Sequence, residues 1–438
     1  MCGDARPEAL GRWRLSARRR ACRQWVWAKP LVFVFAGALF LAWPAFLNGY
    51  PILFSDSLAY LWQGRPPWMV WDKPGVYGPM LHVLDFGTTL WGVVAGQAVL
   101  LSCLLWRVAG GLWVHVLQCL VLGFGSSAPW FAATVMPDVL APMVVLSMVL
   151  IARGGRLDRT IGTAVGALAI AVHLSHLVIA AALIVAVAVL RRERAVAAAV
   201  PLAVAVSVLL ATNVVGWGRL AVSPFGSVFL LARLTADGPA RAVITAACPA
   251  AGWRMCAFAD RLPGDADVFL WSPDGPVWSD PDGPIGLAPE ASVIVWRTVA
   301  ADPVGVAAAM LGNAAAQLVR VRLGDALGSE NLVGRGLERL FGPAEVARFT
   351  LSLQMRGGLT AVGLAFNPWH VAALMAGVLL LPWAFRVQRG LVVLVVVGVL
   401  ANAAATGALA GVHDRYQARI AWLLLVPALA MFSGRRVG

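Results

Sequence analysis

Asp56 stands in Phe54-Ser55-Asp56-Ser57-Leu58-Ala59-Tyr60, which puts a carboxylate, two hydroxyls and a phenol directly after the first long apolar segment. A second carboxylate, Asp138, follows Met136-Pro137 where another apolar segment begins. His173 and His176 share the motif His173-Leu174-Ser175-His176, and His370 follows Asn367-Pro368-Trp369. His413, Arg415 and Tyr416 fall together near the end of the chain. A positioned carboxylate can take the proton of an attacking hydroxyl. Imidazole or guanidinium groups can stabilise an anionic leaving group. Asp56 and Asp138 could also hold a divalent cation that bridges a phosphate. No HExxH, paired CxxC or EF-hand loop offers a tight metal site, and no other cofactor is indicated.

Each residue also has a plainer reading. Asp56, between two serines, could cap a short helix. Asp138, after a proline, could favour a helix N-terminus through the dipole. His173 and His176 could be satisfied turn residues, and Arg415 and Tyr416 could be interface anchors.

The elements that position these groups follow from composition. Of 438 residues, 60% are hydrophobic and 13% charged, against roughly 45–50% and about 25% in an ordinary soluble domain. A bilayer crossing needs about 20 mostly apolar residues, and long alternating β-barrel patterns are absent. The chain reads as an all-α polytopic membrane protein of about ten spans. These lie near 31–47, 88–106, 112–130, from Asp138 to before Arg153, two short spans within 160–190, 195–215, 369–385, 391–409 and 420–432. The net charge of +13 collects in runs such as Arg18-Arg19-Arg20, Arg191-Arg192-Glu193-Arg194 and Arg435-Arg436. The positive-inside rule puts such runs in the cytoplasm, and no basic face with interleaved aromatics suits nucleic acid.

That rule predicts a bacterial-type inner-membrane protein with both termini cytoplasmic. Residues 1–29 form a basic N-terminus, and the segment after it reads as an uncleaved first span. Residues 30–215 form the transmembrane core, with a first outer loop over about 50–87. A short interfacial helix is expected over 57–62. The basic ends of 160–190 favour a hairpin with His173 and His176 at its outer tip. Residues 216–366 form an outer region with turn signals and flanking interfacial helices, and 367–438 close the bundle. Asp56, Asp138, His173, His176, His370, His413, Arg415 and Tyr416 all then fall at outer ends or turns. Ionisable groups near membrane depth are costly and suggest function.

Cys248 and Cys256 lie in the outer region, where oxidation is allowed, and a disulfide is expected between them. Cys2 and Cys22 read as cytoplasmic, Cys103 and Cys119 as small apolar residues of spans. No Gly-rich phosphate loop follows a strand, and no GxSxG elbow supports a hydrolase.

In order and sidedness, the first 215 residues or so resemble the GT-C superfamily of membrane glycosyltransferases. The matching features are Asp56 in the first outer loop, Met136-Pro137-Asp138 at the fourth span, the hairpin with His173 and His176 at its tip, and the late Arg415-Tyr416 pair. The chain departs from many relatives in having no Lys at the hairpin tip, where His stands instead. The resemblance implies transfer of a sugar from a polyprenyl-phosphate donor to an acceptor at the outer face of the inner membrane. It implies Asp56 as general base, with His173, His176 or Arg415 stabilising the departing phosphate. Asp138 would orient the acceptor or a cation, and Tyr60 would shape the pocket. His370, His413 and Tyr416 are further substrate-binding candidates. The expected partners are the lipid-linked donor, membrane lipid and an acceptor that could be glycan, lipid or protein, and no nucleic acid. A transporter or flippase for a lipid-linked or anionic substrate, or a non-catalytic membrane scaffold, are the competing readings. Ionisable residues deep within spans would mark a transporter.

Overall fold

A computed structural model describes residues 30–65 and 69–433, apart from the side chain of Leu332. Cys2, Cys22 and the terminal basic runs lie outside the described residues. Those residues form helices joined by turns and loops, with one isolated parallel bridge between Ile52 and Thr134.

The chain opens with α1 (Pro30–Leu41) and α2 (Trp43–Asn48), broken where Pro44 starts the second helix. Extended residues then pair with the chain before Asp138: Ile52 N donates to Ala133 O at 3.0 Å, and Val135 N to Ile52 O at 2.9 Å. α3 (Ser55–Gln63) and α4 (Tyr77–Asp85) carry the first loop region, followed by α5 (Trp91–Ala109) and α6 (Leu112–Gly125). α7 (Ala128–Ala133) and a 3-10 turn over Pro137–Val139 lead into α8 (Leu140–Arg153). α9 (Arg156–Ala171), α10 (Ser175–Leu190) and α11 (Ala195–Trp217) surround it.

α8 is the centre of the bundle. Its residues from Leu140 to Ala152 are all buried, as expected of a helix that is apolar all round. Gly162 lets α9 approach closely, since a Cβ there would meet Ser147 O at 2.7 Å. At 1.5 Å per residue α8 is about 21 Å long, and it separates two polar layers. At its C-terminal end Arg153 Nη2 donates to Gln388 Oε1 at 2.6 Å, and Arg107 pairs with Asp158 at 2.5 Å. The charge of Arg191 acts on Arg153 there, so α9 and α10 form a hairpin whose basic ends share this layer. The opposite layer holds Asp138 and the hairpin tip.

A second core lies outside the bundle. Phe225, Leu231, Phe269, Leu287, Ile294 and Val306 are among its buried members. They come from α12 (Gly226–Asp237), α13 (Pro239–Ala247), α14 (Ala266–Trp271), α15 (Gly283–Ala301) and α16 (Pro303–Leu318). A Cys248–Cys256 disulfide (S–S 2.06 Å) closes a loop of this cap. α17 (Asn331–Phe341) and α18 (Pro343–Thr350) instead bury Val333, Leu337 and Phe349 in the main core. The region 216–366 therefore divides between two cores.

α19 (Gly358–Leu409) is two helical arms joined at Gln388, whose backbone is non-helical (φ −134°, ψ 44°). α20 (Asp414–Ala421) and α21 (Leu425–Ala430) complete the fold. A Cβ at Gly407 would meet Asn313 O at 2.6 Å, so glycine lets α16 close onto the end of α19.

Among the described residues three helices are long and apolar enough to cross a membrane: α5, Arg192–Trp217 and α19. They become four if α15 and α16, bent by 103°, are one broken span. Fewer crossings qualify than the ten expected because apolar runs are interrupted. The 112–130 run breaks at Ser126, whose hydroxyl donates to Leu122 O at 2.7 Å and accepts from Ala128 N at 3.2 Å. The 420–432 run divides into α20, a 3-10 turn over Trp422–Leu424 and α21. Large apolar side chains on the bundle helices are exposed, among them Val196, Val215, Trp369 and Leu379, and apolar exposure of this kind suits lipid.

Candidate functional site

The loop carrying α3, the tip between α9 and α10 and the turn between α19 and α20 meet around one cavity of about 330 Å3. Asp56, Tyr60, Lys73, His173, Ser175 and Tyr416 supply its polar wall. Phe229, Leu230 and Trp271 of the cap and Ala405 and Leu409 of α19 supply an apolar one. The cavity is thus charged on one side and greasy on the other.

Asp56 lies in the first turn of α3 but caps nothing. That turn is closed by Ser57, whose Oγ accepts from Phe54 N at 2.9 Å and donates to Val135 O at 2.9 Å. The Asp56 carboxylate turns instead to Lys73, with Nζ 3.3 Å from Oδ1. Lys73 also pairs with Asp72 and stands 5.7 Å from the Tyr60 ring centre and 5.9 Å from that of Trp271. Burial alone would lower the Lys73 ammonium, but Asp56 and Asp72 outweigh it and hold its pKa above the ordinary value. Burial raises the Asp72 carboxyl against the pull of Lys73. The Tyr60 phenol is raised first by burial, then by Asp56, Asp72 and Asp138, which places all three carboxylates around it. It stays protonated and forms a wall, edge-on to Tyr77 at 5.0 Å.

His173 sits in the break between α9 and α10. Its Nδ1 accepts from Ser175 N at 3.2 Å and lies 2.8 Å from Ser175 Oγ. A backbone N–H can only donate, so the proton of the neutral ring is on Nε2. Burial, then Arg419, Arg415 and Lys73, hold His173 well below its ordinary pKa. A neutral imidazole therefore stands among three cations. It can offer a hydrogen bond to an anion in the cavity, whereas Lys73 offers charge.

Asp138 lies beneath this wall. It is 3% exposed and absent from the cavity lining, so direct contact with acceptor or cation gives way to a buried ion pair. Arg419 Nη1 meets its Oδ1 at 3.2 Å, Nη2 donates to Ser175 Oγ at 2.8 Å, and Nη2 and Nε reach Asn402 Oδ1 at 2.9 and 3.3 Å. Arg419 ties the start of α8, the hairpin tip and α19 together. Arg415 stacks over Phe54 at 4.0 Å and near Tyr416 at 5.0 Å. Burial would lower its pKa, but Asp138, Tyr416 and Asp56 outweigh it and hold it raised.

Three histidines expected at the site serve elsewhere. His176 is buried behind His173, its Nδ1 2.6 Å from Ala169 O. His370 is buried against the loop after α16, with Nε2 3.0 Å from Val321 O. His413 faces a separate polar cavity of about 340 Å3, where Nε2 lies 3.5 Å from Asp267 Oδ2. Its ring packs edge-on against Tyr416 at 5.2 Å. Asp56 and Asp138 each face a side-chain cation, Lys73 and Arg419. Among the described residues no group of three His, Cys, Asp or Glu could hold a metal ion.

Lys73, Arg419, Ser175 and Asn402 were not singled out from sequence. Lys73 supplies the basic group that the hairpin tip lacks, from a loop about a hundred residues earlier. One signal was present: Lys29 and Lys73 are the only lysines among 35 basic residues. Comparison with protein-family models, with curated proteins and with solved structures finds no match.

Proposed function

We propose that the chain is a GT-C-like membrane glycosyltransferase that moves a sugar from a polyprenyl-phosphate donor to an acceptor hydroxyl at the outer membrane face. On this reading the remaining apolar segments complete about ten crossings, with short or broken helices accounting for those below full span length. The basic layer at Arg107, Arg153 and Arg191 faces the cytoplasm. The observation that carries the proposal is the amphiphilic cavity, where Asp56 and Lys73 face each other beside apolar walls.

The proposed chemistry follows from the charges. The acceptor oxygen attacks the anomeric carbon while Asp56 takes its proton. The anomeric C–O bond to the phosphate breaks, and its electron pair leaves with the phosphate. Lys73 and Arg415 meet that growing charge, and neutral His173 donates a hydrogen bond. Asp138 acts through Arg419 to position the hairpin tip. The transporter reading calls for ionisable groups at mid-depth, and the central helix carries none between Leu140 and Ala152.

Membranes containing wild-type protein or Asp56→Asn are to be compared for transfer from a panel of labelled polyprenyl-phosphate sugars. The variant is expected to lose about 10²–10⁴-fold in rate, the usual worth of a positioned base. Unchanged transfer at equal protein levels would remove Asp56 from the role.

A further inference from the structure

An open cleft of about 480 Å3 shares no lining residue with the cavity at Asp56. Three segments distant in sequence each bring a tryptophan to it: Trp71 from the loop after α3, Trp217 from the end of α11 and Trp278 from the loop before α15. Each ring is held in place. Trp278 Nε1 donates to Leu270 O at 2.8 Å, Trp71 stacks on Phe229 with 5.1 Å between ring centres, and Trp217 stands edge-on to Phe225 at 5.0 Å. Met69, also in the lining, occupies the space left by Gly216, where a Cβ would meet Met69 Cε at 2.6 Å.

Tryptophans at a membrane boundary commonly mark only headgroup depth. The charges around these three narrow the reading. Asp280 and Asp282 line the cleft, and among its described lining residues none is basic. Arg254, outside the lining, pairs with Asp280, lies 3.7 Å from Asp282 and donates its backbone N–H to Glu290 Oε2 at 2.8 Å. Three carboxylates thus gather at one guanidinium, leaving an excess of negative charge. Asp280 is 3% exposed, whereas Asp282 is 69% exposed and open to a ligand. Indole faces carry negative potential as well. Rings and carboxylates therefore favour the same ligand, a cation with an apolar surface. The position of the cleft adds a second constraint. α11 ends there, and it is the least buried of the candidate spans, with 22% of its apolar window covered against 50% for α5 and 67% for α19. Val215, two residues before Trp217, is 88% exposed.

We propose that this cleft binds the quaternary ammonium head of a zwitterionic phospholipid drawn from the membrane beside α11. A quaternary ammonium is the cation whose surface is apolar, and a lipid is the carrier that a lipid-facing helix end meets. A neutral sugar would stack on the rings but leave the carboxylate excess unmatched. An anionic head group would be repelled by it.

Full-length protein is titrated in detergent with phosphatidylcholine, and bound lipids are counted by native mass spectrometry. Phosphatidylglycerol, which has no ammonium, is the control. Asp282 is exposed and its side chain caps nothing in α15, so Asp282→Asn places little burden on folding. Asp282→Asn and Trp278→Leu are each expected to weaken the tightest phosphatidylcholine site by about fivefold and to leave phosphatidylglycerol binding unchanged. Trp278→Phe, which keeps an aromatic face, is expected to retain most of the affinity; a merely apolar contact would rank leucine and phenylalanine alike. Phosphatidylcholine binding unchanged in Asp282→Asn and Trp278→Leu, or equal losses for both lipids, would overturn the proposal. Displacement of the bound phosphatidylcholine by excess free choline is expected, since both carry the same head. Choline binding that depends on Trp278 while phosphatidylcholine binding does not would overturn the lipid as occupant. Displacement by maltose and not by choline would assign the cleft to carbohydrate instead.

Discussion

Arg419 and Lys73 are both buried cations beside carboxylates, but they differ in what surrounds them. Arg419 is 0% exposed and bonded to three elements. Lys73 lines a cavity and faces open volume. Removing one partner of a buried pair strands the other charge, at a cost of about 3–5 kcal/mol, whereas replacing both with apolar groups is often neutral. Arg419→Met is therefore expected to lower stability by about that amount. Asp138→Leu combined with Arg419→Met is expected to recover most of it. Thermal unfolding in detergent measures both, and equal losses in the single and double variants would show that the pair is not the source. Asp56 was legible in sequence because a carboxylate between serines after an apolar run is conspicuous. Arg419 was not, because nothing local distinguishes it from the exposed arginines; its burial depends on Asp138, nearly three hundred residues earlier.

At the scale of elements, the loop between α16 and α17 is a strap tied to the start of α20. Asp325 Oδ2 accepts from Arg415 N at 2.8 Å. Burial raises the Asp325 and Glu330 carboxyls above their ordinary values, more than their backbone hydrogen bonds lower them. A carboxyl whose folded pKa is raised favours the folded state when protonated. Its contribution is full below the ordinary value and is lost as pH rises through the folded value. The strap is therefore expected to loosen as pH rises from about 4 toward neutrality. Hydrogen exchange over 319–330, corrected for its intrinsic pH dependence, should quicken over that range. Asp325→Asn combined with Glu330→Gln should flatten the response; an unchanged slope in that variant would assign it to other groups. The helix over 57–62 was expected from sequence, and α3 runs Ser55–Gln63. The strap was not anticipated, since its grip comes from burial under α20.

For the whole molecule, two cores imply two stabilities. The cap buries its own apolar set and closes a loop with the Cys248–Cys256 disulfide, whose partners are 8 residues apart. Closing a loop this short is worth about 2–3 kcal/mol in the chain-entropy account. Replacing both cysteines by serine is expected to open 226–306 to protease while the bundle fragments persist. Cleavage spread evenly over the chain would show that cap and bundle unfold as one unit.

The sequence by itself determined that the chain is helical and largely apolar, because each helix satisfies its backbone internally and hydropathy is a property of local residues. It also marked Asp56, His173 and Tyr416, which all line the cavity. Tertiary structure decided the rest. The Lys73 backbone is held by Gln63 of α3 beside the cavity that His173 lines, and Asp138 becomes a buried partner because α20 brings Arg419 against it. His370 and His413, expected beside Asp56, fall outside the cavity. Charge bias fixes the side of a membrane a residue occupies, whereas its neighbours are fixed by packing between helices distant in sequence.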